Sequence, residues 1–77
     1  MTPDIVEIFA NNLRAFRRGR GLTQSDLAQL AGLSLNYIGI LERGEKAPTI
    51  VTLAALAAAM DLKPTQLIAP GMPKREG

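Results

Sequence analysis

The densest group of chemically active side chains is a cluster of arginines in the first third of the chain. Four of the nine basic residues fall within seven positions, and no acidic residue lies between Glu7 and Asp26. The four are Arg14, Arg17, Arg18 and Arg20. The net charge is only +2, but a local group of cations attracts phosphate whatever the charge of the whole molecule. The cluster predicts an anion-binding surface, and a solvated helix face explains the same run equally well.

Catalysis and metal binding are the functions that the composition disfavours. The 77 residues contain no cysteine and no histidine. Disulfides and thiolate metal sites are therefore excluded, and the commonest metal ligand and general base is absent. No glycine-rich phosphate loop is visible, and Asp4 and Glu7 are explained by the positive end of a helix dipole. We expect no enzyme activity, no cofactor and no metal site.

Length and hydropathy indicate one small domain. With 47% hydrophobic residues, the chain can form a core near the lower size limit of an independent fold. It has no apolar run long enough to span a bilayer and no charged-then-apolar leader. We therefore expect a cytoplasmic protein without a membrane partner. The domain is predicted over residues 1–68, and residues 69–77, APGMPKREG, are predicted as a flexible tail.

Apolar spacing and capping residues predict five helices and no strand. The first helix carries one buried stripe at helical spacing. Its members are Val6, Phe9, Leu13 and Phe16. Side chains that can cap the first four helices are Thr2, Thr23, Ser34 and Thr49. Pro3 suits the first position of the first helix, and Pro64 suits the first position of a short fifth helix.

The stretch LAGLSLNYIG, residues 30–39, joins the second and third helices through a short corner. Gly32 lies just past the second helix, where positive φ costs glycine nothing. Ala28 is small enough for the two helices to cross closely, and Leu33 can fill the corner. Ile38 and Leu41 then anchor the third helix on the core. Because a helix-turn-helix requires these residue types at these offsets and a generic helical hairpin does not, the sequence predicts a helix-turn-helix.

Several separated blocks of the chain resemble one family in order and spacing. GLTQSDLAQLAGLS, then YI, LERG and AP, are similar to the Cro and phage-repressor proteins, also called the XRE type. The resemblance covers residues 13–68. It implies an all-α, five-helix bundle of the lambda-repressor-like type that binds DNA, usually as a dimer, and regulates transcription. The small size is similar to that of restriction–modification controller proteins and of small phage or plasmid repressors.

In such a motif the start of the third helix enters the major groove. The candidate base-reading residues are Ser34, Leu35, Asn36, Tyr37, Gly39 and Ile40. An amide can pair bidentately with adenine, so Asn36 is the best polar reader, with a solvated amide as the alternative. Tyr37 either contacts DNA or packs on the first helix, while Leu35 and Ile40 suit thymine methyl groups.

Gly39 departs from the small polar residue that the family often carries there. A glycine inside a helix costs about 0.5–1 kcal/mol relative to alanine. Close approach of the backbone to DNA would explain it, and so would drift. The first turns of the third helix carry no arginine or lysine, so we expect guanine readout by this helix to be weak. Specificity would then rest on methyl contacts, DNA shape or an arginine outside this helix.

Phosphate contacts are expected on both sides of the third helix. By the resemblance, Gln24 is a phosphate clamp at the start of the second helix, with a merely tolerated polar residue as the alternative. The other candidates are Arg14, Arg18, Arg20, Arg43, Lys46 and Thr49. In the family an arginine at the position of Arg17 pairs with the glutamate of the LERG block. Arg17 and Glu42 are therefore predicted to form a structural ion pair.

The fourth helix indicates a second copy of the chain. Between Ile50 and Met60 only Thr52 is polar, and a helix that is apolar all round is normally buried all round. The residues predicted at a dimer interface are Val51, Ala55, Ala58, Leu62, Leu67 and Ile68. Exposed alanines as harmless helix formers are the alternative. A two-fold dimer would place two reading helices about 34 Å apart and would recognise a near-palindrome.

Two functions fit these features. The leading one is a sequence-specific regulator of transcription that binds double-stranded DNA as a homodimer. The alternative is an antitoxin or adaptor that uses the same fold to cover another protein. The arginine cluster and Gln24 favour DNA, whereas Leu35 and Ile40 fit either. Activation would require a surface for RNA polymerase, and no segment of the sequence identifies one.

Overall fold

Residues 4–70 of the computed structural model fold into four α-helices and one turn of 3₁₀ helix. The α-helices are α1 (Ile5–Gly19), α2 (Gln24–Ala31), α3 (Leu35–Glu42) and α4 (Ile50–Ala59). The predicted count of five helices is not confirmed, because the fifth segment, Pro64–Leu67, is only a 3₁₀ turn closed by short-range bonds such as that from the Gln66 N–H to the Lys63 carbonyl. No strand occurs in residues 4–70, so the predicted all-α class is confirmed. None of the helices in that range is long and apolar enough to cross a membrane.

The N-termini of α2, α3 and α4 carry the predicted caps. Thr23 Oγ1 accepts the N–H of Asp26 at 2.9 Å, and the Asp26 carboxylate accepts the N–H of Thr23 at 2.9 Å, which completes a capping box. The hydrogen bond from the Thr23 backbone, reinforced by its side chain, holds the pKa of the Asp26 carboxyl below its ordinary value. Ser34 and Thr49 each accept one backbone N–H at 3.0 Å.

The first helix begins at a different cap from the predicted one. The side chain of Asp4 accepts the N–H of Val6 at 2.9 Å, and Ile5 is the first helical residue. A carboxylate at this position also suits the positive end of the helix dipole. Thr2 and Pro3, the predicted cap and first helical residue, lie outside the described residues.

The helices enclose one core to which every helix contributes. Fully buried side chains come from the predicted stripe of α1 and from the inward faces of the other helices. The largest are Phe9, Leu13, Leu27, Ile38, Leu41, Leu56, Met60 and Leu67. Ala28 is also buried, as expected of a small residue where α2 and α3 cross. This core fixes the orientation of α3 relative to α1 and α2.

The corner between α2 and α3 has the predicted geometry. Gly32 has φ +72°, in the left-handed region that favours glycine. Its neighbour Leu33 donates its N–H to the Ala28 carbonyl at 2.9 Å, which closes the last turn of α2. The half-buried Leu33 side chain packs against the core. The chain therefore leaves α2 and starts α3 at once.

Within residues 4–70, Asp61 is the only non-glycine residue with positive φ. Its φ is 58°, and its N–H bonds the Ala58 carbonyl at 3.1 Å just past the end of α4. A side chain in this region places Cβ close to the following carbonyl, whereas glycine avoids that contact.

We expect Asp61→Gly to raise the free energy of unfolding by about 0.5 kcal/mol, because it removes the Cβ penalty at a helix end. Urea unfolding followed by circular dichroism would measure the change. Asp61→Ala is the matched control, and it should lower stability because alanine keeps Cβ without any local polar group. A glycine variant less stable than the wild type would contradict this interpretation of Asp61.

Candidate nucleic-acid interface

One face of α3 is turned away from the core. Ile38 and Leu41 are fully buried, while Leu35 is 53% exposed and Asn36 is exposed. Residues three, four and seven positions apart lie on one side of a helix, so Arg43 shares the outward face with Asn36. Helix α3 therefore leaves Leu35 and Asn36 uncovered in its first turn, and Arg43 is exposed just past its end.

The remaining residues at the start of α3 are partly covered. Tyr37 is half-buried and packs against the hydrophobic core. Ile40 is also half-buried, and Ser34 is exposed while its oxygen caps the N–H of Tyr37. Leu35 and Asn36 are thus the exposed base-reading candidates whose side chains do not cap the helix.

Gly39, another base-reading candidate, is covered by a neighbouring side chain. It is buried, and a Cβ built on it would lie 3.1 Å from Nη1 of Arg43 and 3.9 Å from its Cζ. Long side chains on a helix lean toward its N-terminus and cover the preceding turn. The Arg43 side chain therefore occupies the space that a side chain at Gly39 would take.

Arg43 is held by an acidic residue that the sequence did not single out. Its Nε and Nη2 donate to the two carboxylate oxygens of Glu45 at 2.8 and 3.3 Å. Both side chains are more than half exposed. The hydrogen bond from Arg43 holds the pKa of the Glu45 carboxyl below its ordinary value. The sequence feature that could have indicated this pair is an acidic residue two positions after an arginine.

A buried polar network lies behind α3. Arg17 donates from Nε to one oxygen of Glu42 at 2.6 Å and from Nη2 to the other at 3.0 Å. Arg17 is 8% exposed and Glu42 is 2% exposed. Arg17 Nη1 also donates to the Leu22 carbonyl at 2.8 Å. The ion pair predicted from the family resemblance is therefore present, and it joins α1 to the end of α3.

Gln24 belongs to the same network. Its amide Nε2 donates to Glu42 Oε1 at 3.0 Å, in a partly buried contact that spans the start of α2 and the end of α3. The predicted phosphate clamp thus has a protein acceptor here. The side chain lies at the N-terminus of α2, where the helix dipole favours an anion. Its role toward phosphate stays a prediction.

Two of the four clustered arginines bond the carbonyl ends of other helices. Arg14 Nη1 donates to the Glu42 carbonyl at the end of α3. Arg20 Nε donates to the Met60 carbonyl just past α4 at 2.7 Å, and its guanidinium lies 5.5 Å from the centroid of the Phe16 ring. Cations stabilise the negative ends of helices. Both arginines therefore have structural contacts in addition to any role with phosphate.

The other candidate phosphate contacts have different settings. Arg18 and Lys46 are exposed, and they lie on α1 and on the segment between α3 and α4. Thr49 is exposed as well, and its hydroxyl caps α4. In the chain, Arg18 precedes the helix-turn-helix and Lys46 follows it.

A buried amide was missed in the sequence. Asn12 is 2% exposed, and its Nδ2 donates to the carbonyls of Leu67 and Ala69 at 3.1 and 3.0 Å. The contact fixes the 3₁₀ segment against α1 and extends the ordered contacts to Ala69. Residues 71–77 of the predicted tail lie outside the described residues. The sequence feature that could have indicated this contact is a polar residue on the apolar side of α1, three positions after Phe9.

Within residues 4–70, the two most exposed of the large apolar side chains lie at the start of helix α4. Ile50 is 84% exposed and Val51 is 79% exposed. Ala54 and Ala58 are exposed as well and follow at helical spacing. We call these four residues the α4 apolar surface. A shallow apolar groove beside it is lined by Ile50 and by residues of α1, of the segment before α4 and of the segment after the 3₁₀ turn. Ile5 and Ile68 are among its lining residues.

The predicted dimer interface needs one correction. Leu67 is fully buried in the core and has no surface for a second copy. The Asn12 bonds to backbone carbonyls at and after this residue hold the 3₁₀ turn in place. Leu62 and Ile68 are half-buried and pack against the core, and Ala55 is half-buried. Val51 and Ala58, by contrast, are exposed on α4 as predicted.

Comparison of sequences identifies related proteins along nearly the whole chain. A family model described as helix-turn-helix, HTH_3, matches residues 13–67. The control protein C.SmaI of Serratia marcescens is 40% identical over 75 residues, which cover 96% of this chain and 89% of that protein. The uncharacterized HTH-type transcriptional regulator y4dJ of Sinorhizobium fredii is 36% identical over 67 residues, 87% of each protein.

Solved structures agree with the sequence comparison. The restriction-modification controller protein C.AhdI from Aeromonas hydrophila superposes with a TM-score of 0.78 at 39% identity, over 80% of this chain and 94% of that one. The hypothetical transcription factor NHTF from Neisseria gives a TM-score of 0.85 at 31% identity, over 88% of this chain and 78% of that one. These findings confirm the resemblance seen in the sequence blocks. The chain belongs to the helix-turn-helix family HTH_3, of the XRE type.

Proposed function

We propose that the protein is a regulator of transcription that binds double-stranded DNA in a sequence-specific manner. The observation that carries the proposal is the outward face of α3, which leaves Leu35 and Asn36 uncovered in the first turn of the helix. Relatives named as transcriptional regulators and control proteins support it. In this fold the first turn of α3 is the part that enters the major groove.

Base recognition would divide between one polar and one apolar contact. The Asn36 amide can accept from and donate to the N6 and N7 edge of adenine, which fixes one base pair. Leu35 beside it would contact a thymine methyl group. Leu35 is 53% exposed, so such a contact would remove apolar surface from water, which is favourable. The pair therefore favours an A·T-rich element within each half-site.

Backbone contacts would come from cations on either side of α3. Arg18 on α1 and Lys46 after α3 are exposed. Contacts of this kind orient the protein on the duplex without reading sequence, and they release counterions. Affinity is therefore expected to fall as salt concentration rises, with a slope that decreases when either cation is removed.

We propose that the α4 apolar surface joins two copies of the chain. Ile50 and Val51 are adjacent in the chain and both exposed, and Ile5 lines the same apolar groove as Ile50. Contact between two such surfaces would remove these side chains from water. A two-fold arrangement would then set the two α3 helices about 34 Å apart, so that they reach successive major grooves on one side of the duplex.

A protein-interaction module is the second candidate. Exposed leucines at the two ends of the helix-turn-helix corner favour it, since Leu30 is 60% exposed and Leu35 is 53% exposed. An antitoxin or adaptor would bury such a surface on another protein. Binding to a duplex selected from a random pool, compared with an unselected duplex, separates the two functions. The interaction module would show no preference between them.

We expect Asn36→Ala to weaken binding to the selected duplex by about 1–3 kcal/mol and to relax the preference at one base pair. Fluorescence anisotropy with the selected duplex and its single-base-pair variants measures both effects. Arg18→Ala is the comparison variant, because loss of a phosphate contact should weaken all duplexes alike and flatten the salt dependence. Equal weakening of selected and random DNA by Asn36→Ala would show that Asn36 does not read a base.

A further inference from the structure

The outward face of α3 carries a charged pair as well as Asn36. Arg43 follows Asn36 by seven positions, which is about two turns of helix, so both side chains point to the same side. The Glu45 carboxylate accepts from Nε and Nη2 of Arg43 at 2.8 and 3.3 Å. Two hydrogen bonds along one edge fix the plane of the guanidinium as well as its position.

Gly39 supplies the space in which this guanidinium lies. A Cβ at Gly39 would be 3.1 Å from Nη1 of Arg43, closer than carbon and nitrogen normally approach without some displacement. The Arg43 side chain can therefore lie flat against the turn that contains Gly39. Glycine is unfavourable in the interior of a helix, so the space it leaves for Arg43 gives a reason for its presence.

Glu45 occupies one edge of the Arg43 guanidinium, and this determines which N–H groups can bond a second acceptor. An arginine has five N–H groups in a planar fork. Glu45 takes the side formed by Nε and Nη2. The end formed by Nη1 and the second N–H of Nη2 can then donate to two acceptors at once. Guanine presents such a pair of acceptors, O6 and N7, in the major groove.

We propose that Arg43 reads a guanine in the major groove and that Gly39 and Glu45 position its guanidinium for this contact. The inference rests on the proposed DNA-binding function and refines it, because Arg43 is otherwise grouped with the phosphate contacts. A guanidinium that is already oriented loses less freedom on binding. That orientation serves a directional base contact more than a contact with a phosphate, which accepts hydrogen bonds from many directions.

The position of the guanine relative to the adenine follows from the helix. The Arg43 guanidinium lies at the level of Gly39, three residues beyond Asn36. Three residues advance about 4.5 Å along a helix, and one base step along a DNA strand is about 3.4 Å. The guanine is therefore expected one or two base pairs from the adenine that Asn36 reads.

The experiment compares two variants that each remove one exposed cation, Arg43→Met and Lys46→Met. Wild type and variants are titrated with a duplex selected by the wild type from a random pool, and with all its single-base-pair variants. We expect Arg43→Met to lose about 10- to 100-fold of discrimination at one G·C pair. Lys46→Met should weaken every duplex by a similar factor and leave the base preferences unchanged.

Two further variants test the positioning residues. Gly39→Val places a side chain where the Arg43 guanidinium lies. Glu45→Gln removes the negative charge of the carboxylate that bonds this guanidinium. Both should reduce discrimination at the same G·C pair that Arg43→Met affects. Glu45→Gln should at the same time tighten binding to unselected DNA, since it removes a negative charge from the interface. A residue that only maintained the fold would not change base preference while raising general affinity.

The outcomes separate this inference from the function on which it rests. Uniform weakening of all duplexes by Arg43→Met would make Arg43 a phosphate contact and overturn the inference, while the DNA-binding proposal would stand. If the wild type enriched no sequence from the random pool, both the inference about Arg43 and the proposal of sequence-specific DNA binding would be wrong. If Arg43→Met alone changed preference, and neither Gly39→Val nor Glu45→Gln did, the positioning role would be wrong.

Discussion

Replacing Glu42 with alanine is expected to lower the free energy of unfolding by about 3–5 kcal/mol, since removal of one partner leaves a buried charge unpaired. The guanidinium of Arg17, a residue that is 8% exposed, would lose two hydrogen bonds, and the Gln24 amide would lose its acceptor. A domain of this size has a total stability of only about 5 kcal/mol or a little more. Urea unfolding at fixed protein concentration would therefore show a variant that is largely unfolded without denaturant.

The neighbouring exposed pair provides the control for Glu42→Ala. Glu45→Ala also removes a glutamate that bonds an arginine, but both side chains there are more than half exposed. Surface pairs contribute little to stability, so Glu45→Ala should leave the unfolding transition nearly unchanged. The double variant Arg17→Met/Glu42→Leu removes both charges and should be more stable than Glu42→Ala. A loss of less than about 1 kcal/mol for Glu42→Ala would contradict the assigned role of the buried pair.

Breaking the α4 apolar surface is expected to have the largest effect on DNA binding. The double variant Ile50→Gln/Val51→Gln replaces two side chains that are 84% and 79% exposed. It should be monomeric. Its affinity for the selected duplex should fall about 10²- to 10⁴-fold, because the two half-sites are no longer bound by two linked copies of the chain. Sedimentation equilibrium gives the mass, and fluorescence anisotropy gives the affinity.

Leu30→Gln is the matched control for this pair. Leu30 is 60% exposed and lies on α2, so it is not one of the four residues of the α4 apolar surface. The substitution has the same chemistry and avoids adding charge near DNA, so it should leave the mass and affinity of the protein close to those of the wild type. A dimeric Ile50→Gln/Val51→Gln variant would show that another surface joins the two copies. A monomeric wild type at tens of micromolar would remove the dimer proposal altogether.

Local features of the fold could be predicted from sequence because they depend on neighbouring residues. Thr23 and Asp26 cap α2 within one helical turn, and Gly32 adopts the positive φ that its place after α2 requires. The Arg17–Glu42 pair spans 25 positions, and it was predictable only through the family resemblance. Spacing in the chain alone would not have indicated it.

Contacts between distant segments account for what the sequence did not predict. Asn12 bonds the Leu67 carbonyl across 55 positions, and Arg20 bonds the Met60 carbonyl across 40. Their acceptors are backbone atoms, which have no signature in residue type. The same limit explains the error at Leu67, which was expected on a dimer surface and lies in the core. A four-residue 3₁₀ turn is too short for a periodic pattern to indicate its buried side.

In the candidate interface, too, features set by the helical period could be predicted and specific side-chain contacts could not. Asn36 and Leu35 are exposed as the helical period predicts, since Ile38 and Leu41 face the core. The relation of Gly39 to Arg43 depended on the direction in which a long side chain leans. Glu45 follows α3 in the chain, and its contact with Arg43 depends on the conformation after the helix end.

Selection of bound duplexes from a random pool by the wild-type protein, followed by sequencing, tests the central claim most directly. If the outward face of α3 reads DNA in a two-fold dimer, the retained sequences will contain two inverted half-sites whose centres are about 10 base pairs apart. Each half-site will contain the base pair whose preference Asn36→Ala relaxes. Retained sequences that remain random would contradict the claim, because a protein that uses α3 only to contact another protein has no preference among duplexes.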